Sequence, residues 1–155
     1  MSNLSGLLLA DAVLPKAQGG SRKNLISELS GALAKATGLD QRAVFDAVLE
    51  RERLGSTGVG EGVAIPHARV EGVSKPVGGF ARLETPIEFD AIDDRPCDLV
   101  FMLLAPISAG ADHLRALAKV SRVLRQEDVR KALRDAHSVE AVLAILSGTT
   151  ATNAA

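Results

Sequence analysis

The residues most able to do chemistry are concentrated between Gly55 and Arg69, in the run GSTGVGEGVAIPHAR. It combines four glycines, the hydroxyls of Ser56 and Thr57, the carboxyl of Glu61, and His67 directly after Pro66. Glycine lets a backbone reach positive φ and approach a ligand closely, so Gly58, Gly60 and Gly62 suggest a loop shaped around something small. Val63 to Ile65 reads as a short strand that Pro66, lacking an N–H, brings to an end, with His67 at its rim. A neutral imidazole there offers a lone pair to an electrophile without a separate base, because its ordinary pKa is about 6.5. The same residues also read as an ordinary glycine-rich turn carrying a surface histidine. Two further chemistries use the same set. One is a metal-dependent hydrolase built on His67, His113 and a carboxylate such as Glu61 or Asp112, although no HExxH or comparable pairing is present. The other is a binding module whose glycine loop captures a small anion.

A chain of 155 residues, 46% hydrophobic and 24% charged, is one domain's worth of ordinary globular sequence. Its 18 basic and 19 acidic residues leave a net charge of −1, no excess with which to neutralise a nucleic-acid backbone. Trp and Tyr are absent, which removes most base-stacking platforms. The apolar start is broken by Asp11 and has no basic leader, so a cytoplasmic protein without membrane insertion is expected. Cys97, the single cysteine, admits no intramolecular disulfide and no cysteine metal cluster. Preceding an apolar run, it reads as a buried thiol.

The elements that must position these residues follow from periodicity. Val13 and Leu14 form a short strand, with a turn from Pro15 to Gly20. Ser21 caps a helix with Leu25, Leu29, Ala32, Leu33 and Ala36 inward, stopped by Gly38. Asp40 caps a second, with Val44, Ala47 and Val48 inward, ending near Leu54 and Gly55; Arg51 and Arg53 thereby arrive beside the glycine loop. A strand from Val77 to Leu83 carries two glycines that hint at close packing. A short extended piece lies around Ile87 to Phe89, and an acidic loop runs from Asp90 to Pro96. Leu99 to Ala105 is apolar without alternation, as in a strand covered on both faces. Asp112 would cap a helix with Leu114, Leu117, Ala118, Ser121 and Leu124 on one face and His113 in its first turn. Two shorter helices follow, one with Val129, Ala132 and Leu133, the other starting at Ser138 with Val139, Val142, Leu143 and Leu146, stopped by Gly148. The order β-α-α-β-β-β-α-α-α predicts an α/β fold, a mixed central sheet between two helical layers, over residues 1–148, with a flexible tail over 149–155.

Three separated motifs carry a resemblance: GSTGVGEGVAIPHARV, LETPIEFDAIDDRPCDLVFMLLAP and HLRALAKVSRVL, in that order. Together they resemble the type-2 enzyme IIA family of the bacterial phosphotransferase system, continuously from about Leu7 to Ser147. The ETP-FDAID segment resembles the nitrogen-related IIA-Ntr branch more than the mannitol or fructose domains. The resemblance implies a three-layer α/β/α sandwich and a phosphohistidine carrier needing no cofactor and no metal. His67 matches the phospho-acceptor, with Nε2 as the attacking nitrogen.

Arg51, sixteen residues earlier, matches the arginine placed beside the phosphohistidine, where a guanidinium suits phosphoryl oxygens. Without that match it reads as a helix-surface partner of Glu50 or Glu52. His113 matches the second family histidine and would orient His67 or hydrogen-bond the phosphoryl group. Ser56, Thr57, Gly58, Gly60 and Glu61 complete the expected phosphoryl or loop-binding set. The hydroxyls either donate to the phosphoryl group or hold the turn. Glu61, which would repel phosphate, faces solvent or a partner, or accepts from Arg51. Arg53 is a possible steering charge, and His137 matches no motif and reads as a surface residue. The expected partners are an HPr-like phosphocarrier (NPr) as donor and regulatory targets such as potassium-transport regulators or sensor kinases. A sugar-specific role through separate IIB and IIC proteins is the alternative.

Overall fold

The structure is a computed structural model and describes residues 3–148; the tail expected to fray from Thr149 lies outside them. A six-stranded sheet is built from β1 (Leu8–Ala17), β2 (Gly58–Gly60), β3 (Val63–Ala64), β4 (His67–Val70), β5 (Val77–Ile87) and β6 (Cys97–Pro106). The order is β1-β5-β6-β3-β2, with β4 also pairing with β6. The β1–β5, β3–β6 and β4–β6 pairs are parallel, and β5–β6 and β2–β3 antiparallel, so the sheet is mixed as expected.

Strand β6 explains the layering. Val100, Met102 and Leu104 point into one core with Leu25, Leu29, Leu33, Val44 and Val48, from α1 (Arg22–Thr37) and α2 (Gln41–Leu54). Leu99, Phe101 and Leu103 point into the other, with Val120, Leu133 and Val142 from α3 (Ala111–Leu124), α4 (Glu127–Arg134) and α5 (Val139–Leu146). Alternate side chains of one apolar run thus feed two cores, the behaviour of a strand covered on both faces. The glycines of β5 are packing positions. A Cβ on Gly78 would enter the Phe101 ring, and one on Gly79 would lie 2.8 Å from the Ala12 carbonyl.

Helix ends obey local chemistry. Ser21 Oγ accepts the Asn24 N–H at 3.1 Å, Asp40 accepts Ala43 N–H at 2.9 Å, and Ser138 Oγ accepts Ala141 N–H at 3.1 Å. Each such cap is worth about 1 kcal/mol. Gly38, at φ 80°, returns its N–H to Ala34 and ends α1.

Four expectations are corrected. Strand β1 runs ten residues and includes Pro15 instead of turning there. It lies at the sheet's edge, where a missing N–H costs no ladder bond. The extended piece near Ile87 is the end of β5, not a separate element. The segment around the glycine loop contributes β2, β3 and β4, three short strands where one was expected. Helix α3 is capped by Gly110 without a side-chain bond, Asp112 pairs with Arg115, and the inward face is His113, Ala116, Val120, Val123 and Leu124. Leu114 is 64% exposed. Two overlapping apolar stripes coexist in this helix, and packing against β6 selects the one that includes His113.

Candidate functional site

Helix α2 ends where the glycine run begins, and its last turn sends adjacent residues in opposite directions. Arg51 stays at the surface, and its Nη1 donates to the Gly55 carbonyl at 2.9 Å. Glu52, 5% exposed, continues the buried stripe of Val44 and Val48 and turns its carboxylate inward. There it accepts the Thr57 N–H at 2.9 Å and the Thr57 hydroxyl at 2.6 Å. A buried carboxylate must be satisfied in this way, since an unpaired one would be strongly unfavourable. Arg22 reaches the same carboxylate at 3.5 Å and also donates to the Phe89 carbonyl and pairs with Asp90.

The glycines close the run against the protein itself, which corrects the expectation of a loop shaped around a small ligand. A Cβ on Gly58 would lie 2.8 Å from that of Ala91, and one on Gly60 3.4 Å from the Asp93 carboxylate. Gly62, at φ 80°, leaves room for Arg134 and Asp98. Arg134 grips Asp98 through two bonds of 2.9 Å and donates to the Glu61 carbonyl at 2.7 Å. The Ser56 hydroxyl donates to the Phe89 carbonyl, so both hydroxyls of the Ser56–Thr57 pair are donated within the fold. Glu61 pairs with Arg95 at 3.0 Å, not with Arg51, and with Gly60 it borders a separate cavity beside α3.

Beyond this turn, Thr57 and Ile65 are joined by a 3.0 Å backbone bond, and the Pro66 carbonyl accepts the Leu103 N–H at 2.9 Å. His67 then begins β4, in register with Leu103 of β6. Its Nδ1 lies 2.8 Å from the Ile65 carbonyl. A carbonyl oxygen only accepts, so the ring proton is on Nδ1 and Nε2 of the neutral ring is a bare lone pair.

A cleft of about 460 Å³ opens at this histidine, lined by Arg51, Leu54, His67, Arg69 and His113, with Ala47, Glu50 and Ala68 completing the wall. His67 and His113 face each other with ring centroids 5.5 Å apart. Burial, and then the Arg51 charge, lower the His67 pKa, while the Ile65 bond and Glu52 act in the opposite sense. Burial also lowers that of His113, followed by the charges of His67 and Arg69. Both rings are therefore biased toward the neutral form. The His113 Nδ1 is buried and has no hydrogen-bond partner among the described residues.

The fold thus brings His67, His113 and Arg51 together, while Ser56, Thr57, Gly58, Gly60 and Glu61 stand outside the cleft wall. Arg53 is exposed away from the wall and His137 is exposed. Sequence reasoning missed Arg69, whose place depends on β4 pairing with β6. It also missed Glu52, although the spacing of Val44 and Val48 extends to position 52 and marks an inward carboxylate. Among the described residues, no three His, Cys, Asp or Glu side chains cluster as metal ligands. Cys97 is buried, and burial together with Asp98 raises its thiol pKa to about 12, as suits a packing residue. No described helix is long and apolar enough to cross a membrane.

Comparison with known proteins agrees with this architecture. Residues 7–148 match the family model described as phosphoenolpyruvate-dependent sugar phosphotransferase system, EIIA 2. A nitrogen regulatory protein of Bradyrhizobium diazoefficiens is 46% identical over 144 residues, covering 93% of this chain and 94% of the relative. A fructose-specific EIIA component of Haloferax volcanii is 49% identical over 108 residues, 70% of each chain. The crystal structure of the nitrogen regulatory protein IIA-Ntr from Neisseria meningitidis superposes with a TM-score of 0.85 at 38% identity, over 92% of this chain and 98% of that one. The fold, the matched span and these identities make the chain a member of the type-2 enzyme IIA family of the phosphotransferase system, similar to its nitrogen-regulatory proteins.

Proposed function

We propose that this protein is a phosphohistidine carrier of the nitrogen-related phosphotransferase system, accepting a phosphoryl group on His67 Nε2 from an HPr-like carrier and regulating partners by its phosphorylation state. The observation that carries this reading is the Nδ1 bond to the Ile65 carbonyl, which leaves Nε2 of the neutral ring bare in a cleft that also holds an arginine. In the transfer, the Nε2 lone pair forms a bond to phosphorus as the donor's phosphorus–nitrogen bond breaks and its electron pair returns to the donor imidazole. Arg51 supplies positive charge to the phosphoryl oxygens, and His113 donates to them or steadies the ring. Leu54, 82% exposed in the cleft wall, offers apolar surface for weak, exchangeable docking. Phosphorylation adds about −1.5 to −2 charges there, enough to change a partner's affinity.

Intact mass after incubation with phosphoenolpyruvate, enzyme I and an HPr-like carrier tests the reading. One acid-labile phosphoryl group on wild type and none on His67→Ala is expected; no gain with any competent donor overturns it. The Haloferax relative supports a second reading, a sugar-specific IIA that passes phosphate to a separate IIB protein. Rapid loss of the label to a fructose-type IIB would favour it.

A further inference from the structure

A chain of hydrogen bonds runs from the interior of α2 to the reactive histidine. The Glu52 carboxylate accepts the Thr57 N–H at 2.9 Å; the Thr57 carbonyl accepts the Ile65 N–H at 3.0 Å; the Ile65 carbonyl receives the His67 Nδ1 proton at 2.8 Å. Glu52 does not line the cleft and has no direct bond to His67. Its carboxylate also takes the Thr57 hydroxyl, so one side chain holds both hydrogen-bond donors of Thr57. Ile65 occupies the gap between β3 and β4, where the sheet ladder is interrupted before Pro66, and its N–H is held by Thr57 alone among the described backbone bonds.

We propose that Glu52 is a positioning residue that sets the tautomer of His67, by holding Thr57 so that the Ile65 carbonyl stays aimed at Nδ1. A neutral histidine free in water carries its proton mainly on Nε2, the nitrogen that must be bare for attack. The protein therefore has to reverse an intrinsic preference, and an acceptor held rigidly beside Nδ1 does so. Loss of the Glu52 carboxylate orphans the Thr57 N–H and hydroxyl, frees the 55–57 turn and lets the Ile65 carbonyl drift. The proton then returns to Nε2 and the lone pair is lost from the cleft. This consequence for transfer rests on the phosphocarrier reading; the tautomer itself does not.

The test is ring nitrogen NMR of His67 in ¹⁵N-histidine-labelled full-length protein at a pH where the ring is neutral, comparing wild type, Glu52→Gln and Glu52→Ala. Asp46→Asn, an exposed charge removal on the same helix, is the control. Wild type and Asp46→Asn are expected to show Nδ1–H in excess, and both Glu52 variants a shift toward Nε2–H. Phosphorylation by the donor carrier should slow by roughly tenfold or more in parallel. Should Glu52→Ala not fold, Glu52→Gln decides, because its amide keeps the shape but turns one of the two acceptor oxygens into a donor, so one of the two Thr57 bonds is lost. A folded Glu52 variant with the wild-type tautomer ratio overturns the proposal. A shifted ratio in a protein whose wild type takes no phosphate would instead retain the positioning role and sink the phosphocarrier reading.

Discussion

The imidazole rings of His67 and His113 stand 5.5 Å apart, centroid to centroid, and are tilted by 54°. At that distance one ring's charge opposes the other's, and the His67 charge is among the causes that lower the His113 pKa. His67→Ala should therefore raise the His113 pKa, leaving it below the ordinary value because burial, the larger cause, persists. Titration of the His113 ring by NMR checks this; an unchanged or lower value would show that the rings do not interact.

Among the described residues the Arg51 side chain makes one hydrogen bond, to the Gly55 carbonyl, and it lies in the cleft wall. Arg51→Ala should slow phosphoryl transfer by about a hundredfold, the scale of removing one donor to a developing anion, while changing the unfolding midpoint little. Arg51→Lys should recover only part of the rate, because a point charge does not reproduce the guanidinium fork. Rapid-quench transfer assays beside thermal melts separate the two effects. A melt shifted as severely as the rate would show that the arginine is chiefly structural.

Both cleft histidines have lowered pKa values in the folded protein. As pH falls through the ordinary value of about 6.5, the unfolded chain takes up protons before the native state does, so stability declines. The contribution is fully present above 6.5 and is lost progressively below it. Chemical denaturation from pH 8 to 5 should show this decline in wild type and a smaller one in the His67→Ala, His113→Ala double variant. Equal slopes would rule the histidines out as its source.

Gly78 sits where a Cβ would meet the Phe101 ring and, at 3.0 Å, the Met102 carbonyl. Gly78→Ala should destabilise the fold by about 1–3 kcal/mol, as overpacking of a close-packed core does. Gly110→Ala has open space around it and should cost far less. Urea unfolding of both variants gives the comparison, and equal midpoints would mean that the β5–β6 contact yields easily.

Much of this protein is written locally. Ser21, Asp40 and Ser138 bond the N–H three residues ahead, and Gly38 ends α1, because capping depends only on neighbouring atoms. The apolar run of β6 implied helices on both faces because no alternate position in it tolerates water. The motif around His67, with Arg51 and His113, was legible as a family pattern, and the fold brings those three to one cleft.

Choices among locally equivalent alternatives were decided only in three dimensions. Helix α3 has two apolar stripes, and contact with β6 chose the one carrying His113 inward. Pro15 signals a turn in isolation but is compatible with a strand at the edge of the sheet, and edge status is a property of the whole sheet. The glycines of the 55–62 run permit close approach without saying to what; here they admit Ala91, Asp93 and Arg134, all distant in sequence. The tautomer of His67 likewise depends on where the Ile65 carbonyl points, which hydrogen bonds spanning Glu52 to Leu103 decide together. Propensity and periodicity act over a few residues, whereas the direction of a carbonyl or the inward face of a helix is set by what packs against it.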